Sequence, residues 1–246
     1  MPEPWPRCCA RADSRRRNVK SVDSHRIKTL PGAHDQLARI KRSLGNQIRG
    51  LLRPFGIKLP SRVGSKRFAE ATHQARQNDP LMHASIAALL EALVSIDAQT
   101  GKLDDELKEF AKRDKVCWLL TSVPGIGPIT ALAFRAAIED PHRFARTRDI
   151  GSYLGLTRKR YQSAETDIRM GISKQSDVMA RHYLYEAANV ILTTVKKRFA
   201  LRSWGLQLMK RVGPRARVAV ARKLAVLLGR MWKDGKHFEA ATAAQA

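Results

Sequence analysis

Leu119-Leu-Thr-Ser-Val-Pro-Gly-Ile-Gly-Pro-Ile-Thr-Ala-Leu-Ala-Phe134 is the stretch on which the fold turns. An apolar helical turn enters Pro124-Gly125-Ile126-Gly127-Pro128, and an apolar helix leaves it. Gly125 and Gly127 permit positive φ and close backbone approach, and Pro128 suits a first helical position. Two readings fit these residues. In one the stretch is a helix-hairpin-helix whose amides, with the next helix N-terminus, face a DNA phosphate. In the other it is a tight turn between two packed helices.

Charge favours the first. The chain carries 46 Lys and Arg against 22 Asp and Glu, a formal net charge of +24. Such a field draws in phosphate backbones and makes binding steeply salt-dependent. It is also concentrated, since Lys196 to Lys236 holds thirteen Lys and Arg against Asp234 alone. No apolar run approaches the roughly 20 residues of a membrane span, so no membrane partner is expected. Cys8, Cys9 and Cys117 form neither a disulfide framework nor a zinc spacing, which suits a reducing cytoplasm.

Ahead of the glycine turn, residues 1–20 read as a disordered basic tail. From Asp23 to about Phe55, Leu37, Ile40, Leu44, Ile48 and Leu51 form one helical stripe, ended by Pro54, Gly56, Pro60 and Gly64. Asp79-Pro80 restarts a helix, with Asp79 as N-cap. Ile86, Leu89, Leu93, Ile96, Leu103, Leu107 and Phe110 follow in near-heptad spacing, interrupted at Thr100-Gly101. Residues 21–113 therefore read as an antiparallel coiled-coil arm. Its consecutive acids Asp104, Asp105 and Glu106 point different ways and read as a solvated face.

Beyond the turn, residues 114–240 read as a second helical unit and 241–246 as a tail. Asp140-Pro141 caps a short helix, and Ser173 or Ser176 the next long one. Ser203 opens another, which stops at Gly213-Pro214. The last, Arg215 to Lys233, is apolar at Val218, Ala221, Ala225, Leu228 and Trp232, with Arg222, Lys223 and Arg230 on its other face. Strand signals are nearly absent, so the fold class is all-α. The polar stretch from Arg158 to Asp167 is a loop or a short hairpin.

The histidines are scattered, and the chain has no HExxH, no Walker loop and no dinucleotide fingerprint. Ser163 lies in the polar stretch beside Arg158, Lys159, Arg160 and Arg169. Composition alone makes it a turn residue. Its cationic surroundings allow a second role, as a hydroxyl that attacks a phosphodiester while the cations stabilise the developing charge.

Several motifs occur in order: Val123-Pro-Gly-Ile-Gly-Pro128, Gly151-Ser-Tyr-Leu-Gly155, Arg160-Tyr-Gln-Ser163, Gly171-Ile-Ser-Lys174, Tyr185-Glu-Ala-Ala-Asn189, Arg217-Val-Ala-Val-Ala-Arg-Lys-Leu-Ala225 and Met231-Trp232. They closely resemble the C-terminal half of the DEDD-type insertion-sequence transposases, bridge-RNA-guided recombinases related to pilin-gene invertases. The resemblance covers about residues 19 to 240. It implies that Ser163 is the nucleophile, although the family has Ser-Gly where this chain has Ser163-Ala164. It also implies DNA as substrate, a structured guide RNA as partner, and oligomerisation through the arm in a nucleoid-associated cytoplasmic protein. The glycine turn, Arg158, Lys159, Arg160, Arg169, Lys174, Arg222, Lys223 and Arg230 are then the nucleic-acid contacts. The family's RuvC-like domain, whose acids hold Mg2+, should precede Val19. The residues present supply no such set, so the chain reads as a truncated copy without a cofactor of its own. A non-catalytic DNA- or RNA-binding protein that modulates full-length transposase is the alternative.

Overall fold

A computed structural model of the chain describes residues 20–60, 66–76, 80–163, 166–175 and 177–239. Among the described residues the fold is all-α apart from one β-hairpin. Two long helices, α1 (Val22–Leu52) and α3 (Pro80–Arg113), flank a short α2 (Lys66–Arg76). They run antiparallel, since His34 Nε2 meets Asp104 Oδ1 at 3.0 Å and Lys41 pairs with Asp97 further along. Asp104 is thus no merely solvated acid, because it crosses to the neighbouring helix.

The helices depart from the sequence expectations in instructive ways. α3 runs unbroken through Thr100 and Gly101, with the Thr100 hydroxyl donating to the Ile96 carbonyl at 2.7 Å. A single glycine weakens a helix by only about 1 kcal/mol, which packing overrides. Leu52 is fully buried and Leu51 exposed, so the stripe of α1 drifts by one position at its end. Phe110, placed on the α3 stripe, is 40% exposed. Helix α2 was not legible as a helix, yet its Phe68 is buried with Ile48, Leu52, Ile86 and Leu93 in a small separate core. The Arg49 guanidinium lies 5.6 Å from the Phe68 ring centroid and donates to the Pro60 carbonyl, closing this end.

The main core gathers the other ends of α1 and α3 with α4 (Lys115–Thr121), α5 (Pro128–Ile138), α6 (Asp149–Tyr153), α7 (Val178–Thr193), α8 (Ala200–Val212) and α9 (Ala216–Asp234). Between α6 and α7 stand β1 (Arg158–Ser163) and β2 (Thr166–Ile172), an antiparallel pair. α9 packs Val220, Leu224, Leu228 and Met231 inward. Its crossings are close: a Cβ on Gly229 would meet Ile150 of α6 at 2.1 Å, and one on Gly205 of α8 would meet Val220 at 2.7 Å.

The N-cap of α7 is Asp177, not Ser173, which pairs with the hairpin base; Ser176 lies outside the described residues. Asp177 Oδ1 accepts from Met179 and Ala180 amides at 3.0 and 3.1 Å, and Oδ2 accepts from Lys28 Nζ at 2.6 Å with Lys20 Nζ at 3.6 Å. Burial alone would raise its pKa. The Lys28 hydrogen bond, the Ala180 amide and the two lysine charges outweigh burial and hold the carboxyl below its ordinary value. Lys20, assigned to the tail, is therefore fixed, and it also donates to the Ala136 carbonyl at 2.9 Å. Helix α8 begins three residues before Ser203, because the Phe199 carbonyl already accepts from the Ser203 amide at 3.0 Å. The assignments made to residues 1–19, Asp79 and residues 241–246 lie outside the described residues.

Candidate nucleic-acid interface

The glycine turn joins α4 to α5. Asp114 opens α4 by accepting from the Cys117 amide at 2.7 Å and pairs with Arg135 on α5, tying the two helices together. Burial, then the Asp114 carboxylate, pushes the Cys117 thiol far above its ordinary pKa, so it serves as an apolar core residue. Both glycines permit positive φ, and Gly125 adopts it, at 95°. Gly127 is the N-cap of α5 at φ −94° and ψ 170°, because an N-cap takes extended geometry before helical dihedrals begin. A Cβ on Gly125 would lie 2.7 Å from Ile191 Cγ1 on α7, whereas one on Gly127 would meet nothing within 4 Å. Among the described residues no carbonyl accepts from the Gly125, Gly127 or Ile129 amides. These donors, with the positive end of α5, are suited to an anion.

The β-hairpin rises from a stitched base. Gly155, at φ 68°, passes so close to Gln175 that a Cβ would sit 2.3 Å from the Gln175 carbonyl oxygen. The Lys174 amide donates to the Gly155 carbonyl at 3.2 Å, and the Ser173 amide to the Thr157 carbonyl at 2.9 Å. Arg181 of α7 clamps the same corner by donating to the Gln175 carbonyl at 3.1 Å. Lys174 is exposed and held at φ 53°, a conformation that non-glycine residues seldom adopt. In the strands Arg160 pairs with Arg169 and Ser163 with Thr166, so Ser163 ends β1 at the far end of the hairpin. At about 3.3 Å per residue it stands about 16 Å along the strand from Arg158. The side chains of residues 159–170 lie outside the described residues, so Lys159, Arg160, Ser163 and Arg169 are placed by backbone alone.

The hairpin base faces α9. Leu156, Thr157, Arg158, Gly171 and Ile172 form one wall of a cleft of about 760 Å3, and Arg215, Val218, Ala219 and Arg222 form the other. Arg158 and Arg222, 64 residues apart in the chain, thus border one groove (222 − 158 = 64). The Arg222 stem lies over α6, where a Cβ on Gly151 would meet its Cγ at 2.9 Å. Lys223 Nζ sits 3.7 Å from the Trp204 ring centroid, and exposed Arg230 pairs with Asp234 at 3.5 Å. Lys233 is a strut, donating to the Phe144 carbonyl at 2.6 Å.

The sequence reading did not single out Arg146 or Arg148, which line a cleft of about 450 Å3 with Arg230 and Lys233. They precede a five-residue helix with no periodic signal, so only their packing beside α9 reveals them. Among the described residues no group of three or more His, Cys, Asp or Glu side chains could hold a metal ion. Nor is any helix among the described residues long and apolar enough to cross a membrane.

A model of the transposase IS116/IS110/IS902 family matches residues 117–203, from α4 into α8 and spanning both the glycine turn and the hairpin. The transposase for insertion sequence element IS1111A of Coxiella burnetii is 33% identical over 226 residues, 89% of this chain and 62% of that protein. A "Probable family 20 transposase" of Pseudomonas aeruginosa is 28% identical over 216 residues, 85% of this chain and 64% of that protein. The transposase for insertion sequence element IS1328 of Yersinia enterocolitica is 26% identical over 173 residues, 70% of this chain and 52% of that protein. The chain thus spans less than two thirds of the length of each of these relatives.

Proposed function

Because the chain belongs to an insertion-sequence transposase family, we propose that it is the DNA-handling part of a transposase with Ser163 as its nucleophile. The observation that carries this reading is the rooting of the hairpin that ends in Ser163 on the cationic cleft of Arg158, Arg215 and Arg222. DNA phosphates lie along α9, where Arg222, Lys223 and Arg230 displace condensed counterions. The amides of the glycine turn hold a further phosphate in the manner of a helix-hairpin-helix. Lys159 and Arg160 lie on the strand that reaches the nucleophile, Arg169 on its partner strand and Lys174 just beyond the hairpin base.

In the reaction, Ser163 Oγ attacks a phosphodiester phosphorus and gives its proton to water, the bond from phosphorus to the deoxyribose oxygen breaks, and that oxygen takes a proton from water to leave as a hydroxyl. A phosphoserine ester remains. It conserves the broken bond for rejoining to a second strand, while nearby cations stabilise the added charge on the phosphorane. Residues 21–113 serve as an arm that joins copies of the protein. A guide RNA and a Mg2+-binding domain belong to the whole recombinase.

The test is a covalent-adduct assay. The full chain, supplied in trans with a metal-binding RuvC-like domain and with DNA carrying insertion-sequence ends, is denatured and resolved by size. Wild type should retain labelled DNA, and Ser163→Ala should lose it while binding DNA as tightly. Equal adduct in both proteins removes Ser163 from the chemistry. Binding without adduct in either protein favours a non-catalytic nucleic-acid-binding role.

A further inference from the structure

Between α8 and α9 lies a pocket of about 680 Å3 that the hairpin cleft does not include. Its walls are apolar, built from Phe199, Leu201 and Trp204 on one side and Val226 and Leu227 on the other, with Phe238 closing one end. Phe238 is fixed there: its amide donates to Ser122 Oγ at 3.0 Å and its ring meets Phe199 edge-on at 5.4 Å. The rim is of opposite character. Arg148, Arg222, Lys223 and Arg230 border it, against the lone acid Glu239.

An apolar pocket alone would suit a lipid or a peptide side chain. Four cations at its mouth call for an occupant with a flat apolar body and an anionic periphery, which is the description of a nucleotide. Trp204 supplies the matching surface. It is half-buried, and among the described residues no aromatic ring stacks on it. Its face is instead covered by the Lys223 ammonium at 3.7 Å. A lysine head on a flexible stem can yield that face to a base and move to the adjoining phosphate.

Position supports the same occupant. Arg222 borders both this pocket and the hairpin cleft, and Arg148 and Arg230 border both this pocket and the cleft beyond it. The three cavities form one cationic path along α9, so a strand that follows this path from the hairpin passes the pocket mouth. A base held in a duplex stack cannot enter; an unpaired one can.

We propose that the Trp204 pocket receives one unpaired nucleobase of a DNA strand whose phosphates run along α9. This rests on the DNA-binding reading above and adds to it a site for an extruded base.

The experiment uses the full chain and three duplexes of one sequence: fully paired, with one unpaired central 2-aminopurine, and with an abasic residue at that position. The unpaired 2-aminopurine should bind about fivefold or more tighter than the abasic form, the gain expected of base–aromatic stacking, and its fluorescence should be quenched on binding. Trp204→Leu should abolish both effects while affinity for the paired duplex is retained. Ala200→Trp, which fills the pocket from an exposed rim position without removing a core side chain, should do the same and serves if Trp204→Leu fails to fold. Equal affinity of wild type for the unpaired and abasic duplexes overturns the pocket assignment, as does a preference that survives both variants. A preference seen only with the RNA version of the strand overturns the assignment to DNA. Failure of wild type to bind even the paired duplex overturns the DNA-binding reading itself.

Discussion

Replacing Gly155 by alanine should unseat the hairpin that ends in Ser163. The backbone at Gly155 is left-handed, at φ 68°, which penalises an L side chain by about 1–2 kcal/mol. The added Cβ would also stand 2.3 Å from the Gln175 carbonyl oxygen and 2.8 Å from its nitrogen. Ordinary contact begins at 3.4 Å, so the Gln175 carbonyl must retreat by about 1 Å (3.4 − 2.3). It has little freedom to do so, because the Arg181 guanidinium holds that oxygen and the neighbouring Lys174 amide is bonded to Gly155 itself. Strain and clash together should destabilise the fold by about 3 kcal/mol. For a chain of this size that lowers Tm by about 6–12 °C. Gly171→Ala is the control, since its Cβ would meet nothing within 4 Å, and it should stay within about 0.5 kcal/mol of wild type. Thermal melts compare the three proteins, and hydrogen exchange at the Ser173 and Lys174 amides reports on the hairpin base. A Gly155→Ala protein with wild-type Tm and unchanged protection at both amides would falsify the reasoning.

The two glycines of the α4–α5 turn should separate in the same assay: Gly125→Val loses about 2–4 kcal/mol through positive φ and collision with Ile191, whereas Gly127→Ala melts like wild type. Equal behaviour of the pair would mean that the turn is wrongly described. Asp177 sets a pH limit. Its folded pKa lies below the ordinary 3.8, so its stabilisation is present above about pH 4 and fades as pH falls through the folded pKa. Asp177→Asn, which removes this titration, should flatten the acid limb of a stability–pH curve; an unchanged limb would show that other carboxylates govern it. Replacing Arg222, Lys223 and Arg230 together by alanine should lower the slope of log K against log salt for duplex DNA by about 2.7, on the basis of roughly 0.9 per phosphate contact. An unaltered slope would take α9 out of the interface.

Local chemistry made much of this protein legible. Apolar residues three and four apart announced α1, α3 and α9, and Pro128 and Pro80 marked helix starts, because helical period and proline geometry are properties of neighbouring residues. The ordered motifs from Val123 to Trp232 indicated the transposase family, which the match over residues 117–203 bears out. Where signals competed locally, the residues alone did not decide. Asp177 rather than Ser173 caps α7, since Lys28 of distant α1 and Lys20 just ahead of that helix favour a carboxylate there. Gly127 took the extended geometry of a cap, while Gly125 took the left-handed turn against α7. Helix α2 went unread because Phe68 is its one large apolar residue, and the burial of that ring depends on α1 and α3 closing over it. The groove shared by Arg158, Arg215 and Arg222, and the Trp204 pocket beside it, appear only when α9 packs across α6 and α8. Periodicity and charge count are written into short stretches of chain, whereas a cleft is made by side chains that meet only after folding.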